Sequence, residues 1–295
     1  MGSNGIPFPC LLHTTCYLLF TRRPMNILIV SVLLLVAAYF SVRWPWWRKK
    51  IPGLAVLCYH KIGTPPAGSK LKELWVSTEK FRRQVKYLLD NGYKTLLFSE
   101  FLHAWKSGTG LPKKAVLITF DDGYENNYTA AWPILKELGA KGNIFVVFNT
   151  IGKANIWHNP SSEPWINMAT AEMLLEMKES GIIEVGSHTM NHPHLGALEP
   201  ENAVWEMRES KRQLEALLGC EVCAFAYPYG EGACLPAVRA GALEAGYSLD
   251  FSFTQGKTPL PWDRQKGPLD RLFIKGTDNN LDLALHLSRG ASRLV

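Results

Sequence analysis

Cysteine is scarce in this chain. Six occur among 295 residues: Cys10, Cys16, Cys58, Cys220, Cys223 and Cys234. No second Cys-x-x-Cys accompanies Cys220-Glu-Val-Cys223, which argues against a structural zinc knuckle. The sequence allows a disulfide among Cys220, Cys223 and Cys234 without requiring one. Cys223 reads as a small core residue in a strand-like run. Also missing is any repeat that interleaves aromatic and basic residues, so no nucleic-acid partner is expected. Charge is absent locally: no residue from Ile27 to Val42 carries one. Over the whole chain 32 basic residues face 26 acidic ones, for a net charge of +6. Much of the excess lies in Arg22, Arg23, Arg43, Arg48, Lys49 and Lys50, and fits a juxtamembrane belt better than a nucleic-acid surface.

The uncharged run is slightly short of the ~20 residues that span a bilayer. Flanking arginines can snorkel, and Trp44, Trp46 and Trp47 suit an interfacial belt. The expected division is a tail over 1–24, a transmembrane anchor over 25–43, a basic-aromatic linker over 44–52 and one large domain over 53–295. A cleaved signal peptide, with Val36-Ala37-Ala38 as its site, is the rival reading. The basic-aromatic stretch directly after the run favours an uncleaved anchor. Basic residues number four after the run and two before it, which by the positive-inside rule places the large domain in the cytoplasm. With 47% hydrophobic residues the chain can fill a sizeable core.

Residues 53–295 alternate between strand and helix patterns. Strands are expected at 53–58, 94–97, 115–120, 142–148, 183–187, 223–226 and 247–253. Ser77 can cap a helix through Asn91 with Phe81, Val85, Leu88 and Leu89 on one face. Further helices are expected from Ser99, over 126–138, 170–180, 200–218 and 234–245, and over 280–289 with Leu281, Ala284 and Leu285 inward. A loop over 149–168 is long enough to line a cleft. Such alternation implies a parallel sheet, open or closed into a barrel, with its site at the carboxyl ends of the strands. The chemically capable residues do follow strands: His60, Asp121 with Asp122, His188 with His192, and Tyr227-Pro228-Tyr229.

Asp121 and Asp122 directly follow the apolar run that ends at Phe120. Adjacent carboxylates repel, and a cation or water must relieve them. Successive strand side chains point oppositely, so one can face a metal and the other a substrate. Gly123 permits a sharp exit. His188 and His192 are four apart, which on a helical turn puts both rings on one face. Two imidazoles and a carboxylate leave one position of a metal open. Asn127-Tyr128-Thr129 matches a glycosylation sequon but lies too near Asp122 to be a comfortable acceptor.

Thr119-Phe-Asp121-Asp122-Gly123, then His188-Thr-Met-Asn-His192-Pro193, then Tyr227-Pro228-Tyr229-Gly230 resemble, in order and spacing, the signature motifs of the polysaccharide deacetylases (carbohydrate esterase family four). The likeness covers about residues 53–275. Leu57-Cys-Tyr-His60 and the Phe225–Gly230 stretch resemble the poly-N-acetylglucosamine deacetylase branch. The resemblance implies a distorted (β/α) barrel with fewer than eight regular strands, a divalent metal, usually zinc, and an N-acetylated glycan as substrate. It implies Asp122, His188 and His192 as metal ligands, Asp121 as general base and the Tyr229 N–H as oxyanion donor. It implies that the metal polarises the acetyl carbonyl and activates water. Tyr124, Tyr227 and Pro228 are expected beside the substrate. It also implies a domain outside the cytoplasm, against the charge count.

Two departures stand out. Many family members carry an arginine where this chain has Ala226, and Arg271 is the candidate replacement, as the branch suggests. The family's late histidine matches His286 only loosely, so His60 is the better candidate for the proton donor or a supporting partner. A catalytically inactive glycan-binding protein and an amide hydrolase for small non-sugar substrates are the competing functions.

Overall fold

A computed structural model describes residues 13–293. By contact it divides into two units, with Lys49–Ser292 forming the larger. In the smaller, helix α1 (His13–Arg43) contains the stretch Asn26–Arg43, with mean hydropathy 2.0 and none of it buried, long and apolar enough to cross a membrane. Of the expected tail, residues 1–12 lie outside the described residues, whereas 13–24 are helical. Once nucleated, a helix propagates past the apolar pattern that marks its core.

The larger unit begins with β1 (Ala55–Tyr59), the short pair β2 (Lys61–Ile62) and β3 (Trp75–Val76), and α2 (Thr78–Asp90). Next come β4 (Lys94–Leu96), α3 (Phe98–Ser107), β5 (Ala115–Phe120), α4 (Trp132–Leu138) and β6 (Gly142–Val146). Then follow α5 (Ala171–Glu179), β7 (Ile183–Ser187), α6 (Pro200–Leu218), β8 (Ala224–Ala226) and α7 (Pro236–Glu244). β9 (Leu249–Gln255), β10 (Leu269–Phe273) and α8 (Asn280–Arg289) complete it.

The main sheet runs β1-β10-β9-β8-β7-β6-β5 and returns to β1, closing a seven-stranded parallel barrel. Its distortion lies at β5. The first half of β5 pairs with β4, Lys94 against Ala115 through Leu96 against Leu117. Only its second half pairs with β6, Thr119 against Asn143 and Phe120 against Ile144. Strands buried on both faces read as continuous apolar runs, and all five residues of β1 are buried. Inside the barrel Phe145 and Phe251 meet at 5.3 Å between ring centroids, and Phe98 of α3 reaches both, at 5.0 and 5.3 Å. Each such ring contributes about 1.5–3 kcal/mol by leaving water.

Local physics explains where the sequence expectations shift. Ser77 Oγ accepts from Lys80 N at 3.3 Å and caps α2, which buries Phe81, Val85 and Leu88. α3 starts at Phe98; Ser99 donates instead to Glu184, through Oγ at 2.9 Å and N at 2.8 Å. The expected helix over 126–138 is two pieces, a π-turn Asn127–Ala131 and then α4. Pro133 has no N–H for a regular i−4 bond there, which favours the wider turn. α7 starts at Pro236 rather than at Cys234. α8 turns Leu283, Leu285 and Leu287 inward while Leu281 is 48% exposed. The buried face of α8 also holds Asp282 and His286, polar residues that an apolar pattern does not reveal. Cys58, Cys220, Cys223 and Cys234 are free thiols, so the disulfide considered above does not form, and Cys223 lies just before β8.

Candidate metal and acid–base site

The two carboxylates leave β5 in different directions. Asp121 continues the strand, its N–H donating to Tyr59 O at 2.9 Å. Asp122 is left-handed (φ 75°) and Gly123 follows at φ 90°, so the backbone turns sharply between them. Both side chains are buried. Asp121 Oδ1 accepts from Arg271 Nη1 at 2.5 Å. Its Oδ2 lies 3.5 Å from Cys58 Sγ and 3.9 Å from His60 Nε2. Asp122 Oδ1 lies 3.5 Å from His188 Nε2 and 3.2 Å from His192 Nε2.

Arg271 is enclosed. It is 1% exposed, donates Nε to Ser252 O at 2.7 Å, and lies over the rings of Phe145 and Phe253 at 5.6 and 5.7 Å. Burial pushes the Asp121 carboxyl up, but Arg271 more than offsets this, with help from the nearby imidazoles, and holds it below the usual range. Burial also works against ionised Asp122, yet the facing His188 and His192 rings keep it well below that range. For His60 and His192, burial dominates and favours the neutral ring.

His188 is the first residue after β7. Its Nδ1 lies 2.7 Å from Ala226 O. A carbonyl only accepts, so Nδ1 carries the proton and the Nε2 lone pair is left for the site. The His188-to-His192 segment is not the helical turn its spacing suggested. Thr189 (φ 73°) and His192 (φ 60°) are left-handed, and the ring centroids come within 5.0 Å across an irregular turn. Asp122, His188 and His192 bring three ligand atoms within 4.8 Å of one another. The partners of Asp122 are imidazoles, not a lysine or arginine. This buried oxygen-and-two-nitrogen set fits a divalent metal with an open position. Cys58, His60 and Asp121 also converge within that distance. There the Arg271 guanidinium already supplies positive charge, which disfavours a second cation.

The remaining expected residues divide. Tyr229 lies at the surface, 43% exposed, with φ 58° and its ring edge-on to His192 at 4.6 Å. Tyr227 is fully buried and its hydroxyl donates to Asp250 Oδ2 at 3.1 Å, while Pro228 is buried beside it. Tyr124 is fully buried as well. Burial does not by itself remove these three from the site, since Asp121, Asp122, His188 and His192 are buried too. Burial and the nearby Asp122 carboxylate push the Tyr124 hydroxyl well above its usual range, which places Tyr124 beside the triad. His286 faces Asp278 and Gln255, at 3.4 and 3.1 Å. Asn127 is buried and donates Nδ2 to His60 O at 2.8 Å, which leaves its sequon inaccessible.

Sequence reasoning missed several neighbours. Trp157, in the long loop, stacks on His192 at 4.5 Å and 19°. His194 stacks on Tyr229 at 4.0 Å and 5°. Glu206 of α6 accepts from the turn between the two histidines. The loop's length and tryptophans hinted at the first, but nothing local in α6 marks Glu206.

Comparisons with known proteins agree with this architecture. The family model for polysaccharide deacetylase matches residues 108–249. YxkH of Bacillus subtilis is 33% identical over 186 residues, 63% of this chain and 60% of that protein. The poly-beta-1,6-N-acetyl-D-glucosamine N-deacetylase of Staphylococcus aureus is 29% identical, over 62% of this chain and 64% of that protein. The chain thus spans less than two thirds of the length of these relatives. The structure of the Streptococcus pyogenes deacetylase PplD in complex with acetate superposes with a TM-score of 0.66 at 26% identity, covering 81% of this chain and 99% of that one. By sequence over residues 108–249 and by architecture, this chain is similar to the polysaccharide deacetylases.

Proposed function

We propose that the chain is a metal-dependent hydrolase that removes N-acetyl groups from amino sugars of a glycan, held to a membrane by α1 with its barrel on the side where the glycan lies. The observation that carries this is the separation of the two neighbouring carboxylates. Asp121 is paired with an arginine, and Asp122 is aimed at two imidazoles. Asp122, His188 and His192 would hold the metal, for which zinc suits the donor set. When bound, the metal supplies Lewis-acid chemistry, polarising a carbonyl and lowering the pKa of water.

The chain's own residues supply the rest. Asp121, kept ionised by Arg271, accepts a proton from the attacking water. The Tyr229 N–H donates to the oxygen on which charge develops. His60, kept neutral at rest by burial and 3.9 Å from Asp121, takes up the proton that Asp121 has received from water and passes it to the departing amine. The S. aureus relative is named for this reaction on poly-N-acetylglucosamine, and the S. pyogenes structure holds acetate. Both support the reading. The competing view of an inactive glycan binder drew on Ala226, where an arginine was expected. Arg271 reaches the same carboxylate, so that motive falls away.

The test uses the full chain in detergent with zinc and a panel of N-acetylated glucosamine oligomers and short amides. Loss of acetyl groups is followed by mass. The expected result is acetate release from the sugars, and in Asp121→Asn a drop of at least about 100-fold in turnover with zinc retained. Loss of zinc from that variant would refute the division of labour. Turnover of the short amides alone would refute the glycan reading.

A further inference from the structure

The turn that carries His188 and His192 is costly backbone. Left-handed residues other than glycine cost of order 1–3 kcal/mol each when the surroundings impose them, and this turn has two, Thr189 and His192. Something outside the turn must hold it. Part of that support comes from the loop after β6: Phe148 N donates to Thr189 O at 3.1 Å and Asn149 N to Met190 O at 3.0 Å. Within the turn, His192 N donates to Thr189 Oγ1 at 2.9 Å.

Three further donors converge on one side chain. Glu206, on α6 and only 6% exposed, accepts from Met190 N at 2.9 Å and Asn191 N at 3.0 Å through Oε2, and from Asn191 Nδ2 at 2.6 Å through Oε1. Two successive backbone N–H groups around one carboxylate oxygen form an anion-binding nest. Three charge-assisted bonds of this kind are each stronger than neutral ones.

Resting on the metal reading above, we propose that Glu206 is a positioning residue for the metal site. It touches neither ligand ring. Instead it fixes the backbone between His188 and His192, so that both Nε2 atoms face Asp122 before a metal arrives. Asn191 extends the clamp, accepting from Asn149 Nδ2 at 2.7 Å through its Oδ1. A glutamine at 206 would keep one accepting oxygen for the nest but would set an amide N–H₂ against Asn191 Nδ2, two donors face to face. An aspartate at 191 would relieve that clash, because it accepts from both sides.

The experiment is a zinc titration of the full chain by calorimetry with a competing chelator, together with the melting temperature of the metal-free forms. The parent is measured first; if it takes no zinc, this inference and the metal reading fall together. Glu206→Gln is expected to weaken zinc binding by about 10–100-fold, the usual effect of losing a group that orients a ligand. The double variant Glu206→Gln/Asn191→Asp is expected to regain most of it beyond the effect of Asn191→Asp alone. Should Glu206→Gln fail to fold, Asn191→Ala, which removes one of the three bonds from the exposed side, is expected to weaken zinc by several-fold. Zinc affinity within about twofold of the parent would overturn the proposal while leaving the metal reading intact. So would a fall in melting temperature with affinity unchanged.

Discussion

At the scale of single residues, the pair Arg271–Asp121 joins stability to chemistry. Both members are buried, and each answers the other's charge. Removing one member of a buried ion pair typically costs about 3–5 kcal/mol, because the other is left in a medium that cannot solvate it. Arg271→Leu should therefore lower unfolding free energy by about that amount in urea titration. It should also raise the Asp121 carboxyl toward its protonated form, since burial pushes in that direction once the guanidinium is gone. Turnover should fall by at least about 100-fold. A variant that keeps full turnover would show that the base does not depend on this partner. The arginine was legible only as a candidate: position 271 is 150 residues from Asp121 in sequence, and no local pattern links them.

At the scale of elements, the site depends on short turns more than on the strands that deliver them. The turn after β8 shows this. Tyr229 is left-handed, and Gly230 (φ 75°) sits so close to β9 that an added Cβ would lie 2.4 Å from Phe253 Cβ and 3.1 Å from Phe253 N. Gly230→Ala should cost about 1–3 kcal/mol through overpacking and an unfavourable φ. It should also reduce turnover, because the Tyr229 N–H shifts with the turn. Denaturation and steady-state kinetics on one preparation check both. Unchanged kinetics would separate Tyr229 from the reaction. The same scale explains the histidines. Four-residue spacing correctly suggested that the two rings meet, but the helical turn inferred from it is replaced by two left-handed residues that only the contacts of neighbouring loops and α6 sustain.

At the scale of the whole molecule, closure of the barrel brings three strand ends and the middle of β10 to one place. β1 supplies His60, β5 the two carboxylates, β7 the histidines and β10 the arginine. A ligand that binds only the closed form stabilises it by mass action, about 2.7 kcal/mol at one hundred times its dissociation constant. For a domain of this size that corresponds to roughly 5–10 °C in melting temperature. Zinc should produce a rise of that order in the full chain, and a chelator should reverse it. Equal melting with and without zinc would argue that Asp122, His188 and His192 do not act as one site.

The sequence alone determined the strand-helix alternation and the uncharged N-terminal run, and its motifs, through the family they resemble, implied the barrel and the pairing of Asp122 with His188 and His192, because periodicity and short motifs are local and survive without coordinates. Tertiary structure alone decided that Arg271 meets Asp121, that the Tyr227 hydroxyl finds Asp250, that Cys58, Cys220, Cys223 and Cys234 remain thiols and that Glu206 grips the histidine turn. Those outcomes depend on which distant segments become neighbours when the sheet closes on itself. Burial and contact are then properties of the packed whole, not of the residues taken in order.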